Sequence, residues 1–181
     1  MAFLKKIRPS LLRPNNRGWR TSLLAFVLLA PGGVVASTVA DVLNNAQLRG
    51  DATFRFLGLS VYDAKLYTPQ GAPFNWSQDF GLLLRYRKNL KQKALVESTL
   101  EEMDRQGNGA PVQNQLEQCF QSVSKGDTYL AVSRGPDKVA FWRNGTKTCT
   151  LSYPGIKRAF MSIFLGNNTR SARFTRQLKG Q

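Results

Sequence analysis

Outside the N-terminus, apolar positions fall most densely in Phe54–Pro69, FRFLGLSVYDAKLYTP. Phe54, Phe56 and Gly58 alternate with Arg55, Leu57 and Leu59. Past Ser60 the alternation resumes as Val61, Asp63, Lys65 and Tyr67 against Tyr62, Ala64 and Leu66. A period of two predicts extended chain. Gly58 within such a run reads as a bulge or a close backbone approach rather than a break. The expected element is therefore a long, bent, central strand, or two strands across a kink, preceded by a short lead-in over Asp41–Leu48.

Gln70–Ser77, rich in Gly, Pro and Asn, predicts a loop, and Asp79–Tyr86 an apolar strand. Lys91–Gln106 carries Val96, Leu100 and Met103 at helical spacing, with Gly107 where a helix should stop. Its acids Glu97, Glu101, Glu102 and Asp104 read as a solvated face. Pro111 is suited to the first position of a second helix, whose stripe is Val112, Leu116, Cys119, Phe120 and Val123. Gly135-Pro136-Asp137 and Asn144-Gly145 are turn signatures that delimit three antiparallel strands, Thr128–Arg134, Lys138–Arg143 and Thr146–Ser152. Ile156, Phe160, Ile163 and Phe164 mark a further helix ending at Gly166. A last short helix carries Arg170, Arg173, Arg176 and Lys179, opposite Phe174 and Leu178. This order predicts an α+β fold, a large, mostly antiparallel sheet with helices packed on one face.

Composition narrows the chemistry. The chain has 181 residues, 11 Phe, 5 Tyr and 3 Trp, enough for one cored domain. It has no histidine, which removes His-based acid–base catalysis and His metal ligation. No phosphate loop or dinucleotide fingerprint appears, so neither metal nor cofactor is expected. The net charge is +15, and nine basic residues with no acid follow Asp137. No nucleic-acid motif accompanies the charge and nucleic acid is not an expected partner. An acidic partner or peripheral contact with an anionic membrane stays open, against the plainer reading of a charged, soluble surface. The oligomeric state is not legible.

Residues 1–20 hold six cations and no acid, Thr21–Ala30 is a short apolar core, and small residues lead to Ala36 and Ala40. This is the layout of a secretory signal peptide over 1–36, with cleavage near 36 or 40, and a mature domain over 41–181. The apolar run falls short of the ~20 residues that span a bilayer. The expected destination is outside the cytoplasm, the periplasm if the source is a Gram-negative bacterium. Cys119 lies on an apolar helical stripe and Cys149 alternates with Leu151 on a strand. One disulfide and two buried thiols are both compatible with that pattern.

The motif F-x-F-x-G-L-x-V-Y-D-A-x-L-Y over 54–67 resembles the entry strands of bacterial, exported chalcone isomerase-like proteins. The resemblance continues in order through LLLRYRKNLKQKALVESTLEEM (82–103), SVSKGD (122–127), FWRNG (141–145) and YPGIKRAFMSIFLGNNTRSARFTRQLKG (153–180). It implies a chalcone isomerase fold with a ligand cleft between sheet and helices. In the plant enzymes a strand arginine and threonine serve an intramolecular conjugate addition. On this alignment Leu57 takes the threonine position and Asn45 the arginine position, with Arg49 and Arg55 differently spaced. Half of the arrangement that would stabilise a phenolate and an enolate is missing. The expectation is a non-catalytic domain binding a small aromatic or acyl ligand. The alternatives are an intramolecular lyase with a rearranged site and a basic adaptor. Arg55, Tyr62, Tyr67, Arg85 and Tyr86 are the candidate ligand-binding residues. Against that, Arg55 could pair with Asp63 and the tyrosines could simply pack.

Overall fold

A computed structural model describes residues 38–181. The candidate signal peptide and the cleavage site near 36 lie outside the described residues. The site near 40 falls within the first helix, α1 (Val39–Val42).

The sheet begins earlier than its apolar pattern. Strand β1 spans Ala46–Phe56 and β2 spans Leu59–Pro69, antiparallel, with Phe56 opposite Leu59. Of the two expected forms, one bent strand or two strands across a kink, the second is nearer: the stretch is a hairpin, and its turn is Leu57-Gly58. Both turn residues have positive φ, 49° and 79°, as a two-residue turn matched to strand twist requires. Gly58 is neither a bulge nor a close approach. The register shifts at two other points, leaving Arg49 and Val61 as extra residues. The close approach is at Gly50, where a Cβ would come within 2.6 Å of the Gln177 and Leu178 carbonyl oxygens.

Strand β3 (Gly81–Tyr86) pairs with β2, and the chain then leaves the sheet for α2 (Gln92–Arg105) and α3 (Gln113–Cys119). Val112 takes the N-cap position of α3, so Pro111 precedes the helix instead of opening it. β4 (Thr128–Ser133), β5 (Lys138–Arg143) and β6 (Thr146–Ser152) complete one six-stranded sheet in sequence order, antiparallel throughout. β1, expected at the centre, is an edge. Helices α4 (Ile156–Leu165) and α5 (Ala172–Leu178) follow, α4 ending at Gly166 as expected.

The two sheet faces are covered unequally. Residues of α2 to α5 form the larger core with Leu66, Phe80, Leu82 and Phe141. On the opposite face Leu43, next to α1, joins Leu130, Val132, Ala140 and Trp142 in a smaller core. Cys119 at the end of α3 and Cys149 on β6 are brought to a Cα separation of 5.1 Å and joined as a disulfide. No described helix is long and apolar enough to cross a membrane.

Candidate functional site

A cavity of about 550 Å³ lies between the sheet and α2, α4 and α5. Leu82, Leu84, Ala131 and Phe141 face it from β3, β4 and β5, Leu95 from α2, and Phe160 from α4. The extra residue Val61 turns two consecutive β2 side chains, Val61 and Tyr62, into the same space. Bulges commonly re-aim side chains in this way.

Tyr62 sits among aromatic rings. It stacks on Phe54 at 5.1 Å between centroids and meets the edges of Phe174, Phe164 and Tyr86 at 6.0, 6.1 and 6.2 Å. Burial pushes both phenols up, Tyr62 further through Tyr86 and Glu102 and Tyr86 further through Tyr129. Both therefore remain neutral, able to donate as well as accept. Among the described residues neither hydroxyl has a protein hydrogen-bond partner. Tyr129, also on the cavity wall, differs: its hydroxyl accepts from the Gln121 N–H at 2.8 Å and donates to the Cys119 carbonyl at 3.5 Å. Its hydroxyl is committed to the protein, whereas those of Tyr62 and Tyr86 are left to whatever fills the cavity.

One side of the mouth is polar, with Ser98, Thr99, Thr169 and Ser171. Arg170 bridges it to α2, its Nη2 2.9 Å from Glu101 Oε1 and its Nε donating to Glu102 Oε1. Arg105 Nη2 holds the other Glu102 oxygen at 2.8 Å. Burial pushes the Glu102 carboxyl up, but hydrogen bonds from Arg105 and Arg170 outweigh it and hold the group below its ordinary value. Glu102, expected on a solvated face, is thus largely enclosed and bound to two arginines. Complementarity between the acids of α2 and the basic series starting at Arg170 was the sequence signal for this contact.

Of the five candidate residues, the structure brings Tyr62 and Tyr86 together in the cavity. Arg55, Tyr67 and Arg85 lie outside its lining. Arg55 and Arg85 are exposed, and Tyr67 packs on the smaller core. Asp63 does not pair with Arg55. It accepts from Thr53 at 2.7 Å and from Arg87 at 2.8 Å. Leu57 is an exposed turn residue and does not line the cavity. Its lack of a hydroxyl therefore carries no weight about the chemistry inside. Among the described residues no cluster of acidic and cysteine side chains could hold a metal ion.

No protein-family model matches the chain, and no curated protein matches it by sequence. Among solved structures it is similar to the fatty-acid binding protein AtFAP1 of Arabidopsis thaliana. The TM-score is 0.59 over 80% of this chain and 90% of that chain, at 12% identity. At that identity the likeness is one of fold, and the fold is chalcone isomerase-like.

Proposed function

We propose that this is an exported, non-catalytic binding domain that holds an acyl ligand in the cavity between sheet and helices. The observation that carries the reading is a largely apolar cavity of about 550 Å³ lined by two tyrosines, Tyr62 and Tyr86, whose hydroxyls have no hydrogen-bond partner among the described residues. That volume lies within the ~300–1,000 Å³ of small-ligand sites, and a few convergent polar groups in an apolar wall fit the same pattern. Length favours a chain over a single ring. The lining runs from β2 to β5, and with strands ~4.8 Å apart that is a path of roughly 14 Å. Tyr62 and Tyr86 would donate to the carboxylate or carbonyl of the ligand. Arg170, neutralised by Glu101 and Glu102, would close the polar side of the mouth as an ion-pair bridge to α2. That AtFAP1 is a fatty-acid binding protein agrees with this reading.

Export is supported by the charged, apolar and small-residue succession over 1–40 and by the pairing of Cys119 with Cys149, which persists in oxidising compartments. Cleavage near 36 is favoured over cleavage near 40. The latter would remove Thr38, whose hydroxyl and N–H both donate to Asp41, and Val39, which packs on the smaller core. Mature protein should begin at Ser37, and an intact Met1 on soluble cytoplasmic protein would overturn export.

Native mass spectrometry of the purified chain tests the ligand reading. A retained acyl species is expected, and double replacement Tyr62→Phe/Tyr86→Phe should weaken fatty-acid binding about tenfold, as loss of two hydrogen bonds implies. Incubation with a chalcone should yield no flavanone above the spontaneous rate. Failure to bind any fatty acid, or clear turnover of the chalcone, would overturn the proposal.

A further inference from the structure

The cavity has a second rim, and it is not polar. Phe56 and Leu59, which line it, flank the turn of the β1–β2 hairpin. Phe56 is 50% exposed, Leu59 56% and Leu57 85%. Three adjacent large apolar side chains at the tip of an edge hairpin are costly in water. Leu57 adds a second cost, because it occupies a positive-φ position that favours Gly, Asn or Asp. An exposed apolar residue kept in an unfavourable backbone conformation calls for an occupant of the surface it presents.

The charge around the tip says which kind. Arg55 precedes it, and the end of β3 lies beside it, with the Arg87 N–H donating to the Val61 carbonyl at 2.8 Å. Arg55 and Arg85 are exposed, and Lys88 lines the cavity rim. None of these three has an ion-pair partner among the described residues. Asp63, opposite Arg85 across the strands, is taken by Arg87 and Thr53. The acids of the polar rim, Glu101 and Glu102, are taken by Arg170 and Arg105. The tip therefore combines apolar side chains long enough to enter a bilayer's interfacial region with uncompensated cations that match anionic headgroups.

We propose that the Leu57 hairpin docks on an anionic lipid bilayer and so brings the mouth of the cavity to the membrane. Docking goes beyond the ligand reading, and each can fail alone. Leu57 does not line the cavity, so Leu57→Asn leaves ligand binding in solution intact. Asn is also favoured at this turn position, so the variant keeps the fold.

Full-length wild type and Leu57→Asn are compared for co-sedimentation with mixed phosphatidylglycerol–phosphatidylcholine vesicles and with pure phosphatidylcholine vesicles. Contributions from the apolar N-terminal segment are common to both chains. The variant should bind the anionic vesicles about tenfold more weakly, the loss expected for one leucine withdrawn from an apolar phase. The difference should shrink on the neutral vesicles, where the cations no longer hold the tip at the surface. In a second readout, Phe56→Trp should gain fluorescence quenching by brominated acyl chains beyond that of the native tryptophans. Equal binding by wild type and Leu57→Asn, or no added quenching at position 56, overturns the proposal. So does light scattering that shows a dimer split by Leu57→Asn with no vesicle binding, since the tip would then meet a second copy of the chain.

Discussion

The β1–β2 and β5–β6 hairpins turn on nearly the same backbone. Leu57 and Gly58 have φ of 49° and 79°, and Asn144 and Gly145 have 48° and 80°. Their side chains are used in opposite ways. Asn144 is sewn into its own sheet: its Oδ1 accepts from the Thr128 N–H at 2.8 Å and its Nδ2 donates to Asp127 Oδ1 at 3.0 Å. Leu57 is 85% exposed, and a Cβ at Gly58 would meet nothing within 4 Å. Asn-Gly is the residue pair that this turn selects on conformational grounds, so the β5–β6 turn is explained by folding alone. Leu-Gly meets only half of that requirement. What remains must come from outside the fold, and the cavity rim beside Leu57 indicates where.

The largest break in the comparison should come from the disulfide. Cys149 fixes β6, one arm of the Asn144 hairpin, to the end of α3, closing a separation of 30 residues. Cys119→Ser/Cys149→Ser should cost about 3–4 kcal/mol by loop-closure entropy. Chemical denaturation measures the loss, and hydrogen exchange should locate it in β6 while β1–β2 amides change little. Equal loosening of both hairpins would mean that the staple does not distinguish them.

Next in size is Gly50→Ala. Its Cβ would come 2.6 Å from two backbone oxygens of α5 and 2.7 Å from the Gly180 nitrogen. Backbone cannot rotate aside as a side chain can, so overpacking of about 1–3 kcal/mol is expected. Because α5 supplies Phe174 to the cavity, ligand binding should fall together with stability. A stable variant that binds normally would show that α5 is not what seats the β1–β2 arm.

Much of the meander and the helices was legible, because Asn144-Gly145 and Gly135-Pro136-Asp137 interrupt the apolar pattern where the chain turns. At Leu57 the turn residue is itself apolar, so alternation runs through the apex unbroken and one hairpin looks like one strand. β1 upstream of Phe54 was illegible for another reason: an edge strand with AQLRGDAT needs little apolar surface. In the site, parity limited what sequence could give. Arg85 and Tyr86 are neighbours on one strand and Tyr62 and Tyr67 are five apart, so neither pair could share a face in a regular strand. Tyr62 and Tyr86 share one because they are cross-strand partners, a register that no local pattern fixes. Glu102 and Arg170 meet across 68 residues, a contact that no local pattern fixes either.

Exchanging the two turn residues tests the contrast directly. Asn144→Leu loses the side-chain hydrogen bonds to Thr128 and Asp127 and places a bulky residue at positive φ, and should destabilise by about 1–2 kcal/mol. Leu57→Asn loses no packing and relieves the same conformational conflict, and should stabilise by about 0.5–1 kcal/mol. Opposite signs in denaturant midpoints are the expected result. If both changes destabilise, Leu57 belongs to the fold and its exposure needs another explanation.

The smallest expected effect is one of pH, confined to one of the two turns. Hydrogen bonds from the Ser124 N–H and Asn144 Nδ2, with Arg143 adding its charge, hold the Asp127 carboxyl below its ordinary value. A carboxyl with a depressed folded pKa contributes stability that is fully present above its unfolded value of ~3.9 and is lost as pH falls through the folded value. Acidification below about pH 4 should therefore release Asn144 and Arg143 from Asp127 and speed exchange of the Thr128 and Asn144 amides. Asp63, on β2 of the other hairpin, is also held low, as hydrogen bonds from Thr53 and Arg87 outweigh its burial. It bonds to no turn residue, so the Leu57 and Gly58 amides should show no matching step. Asp127→Asn should abolish the step at Asn144 and leave the rest of the profile in place, because it removes the titrating group and keeps the acceptor oxygen. A step that survives this substitution, or one of equal size at Leu57, would show that acid acts on the sheet as a whole and not through the bond that fixes one turn and is missing from the other.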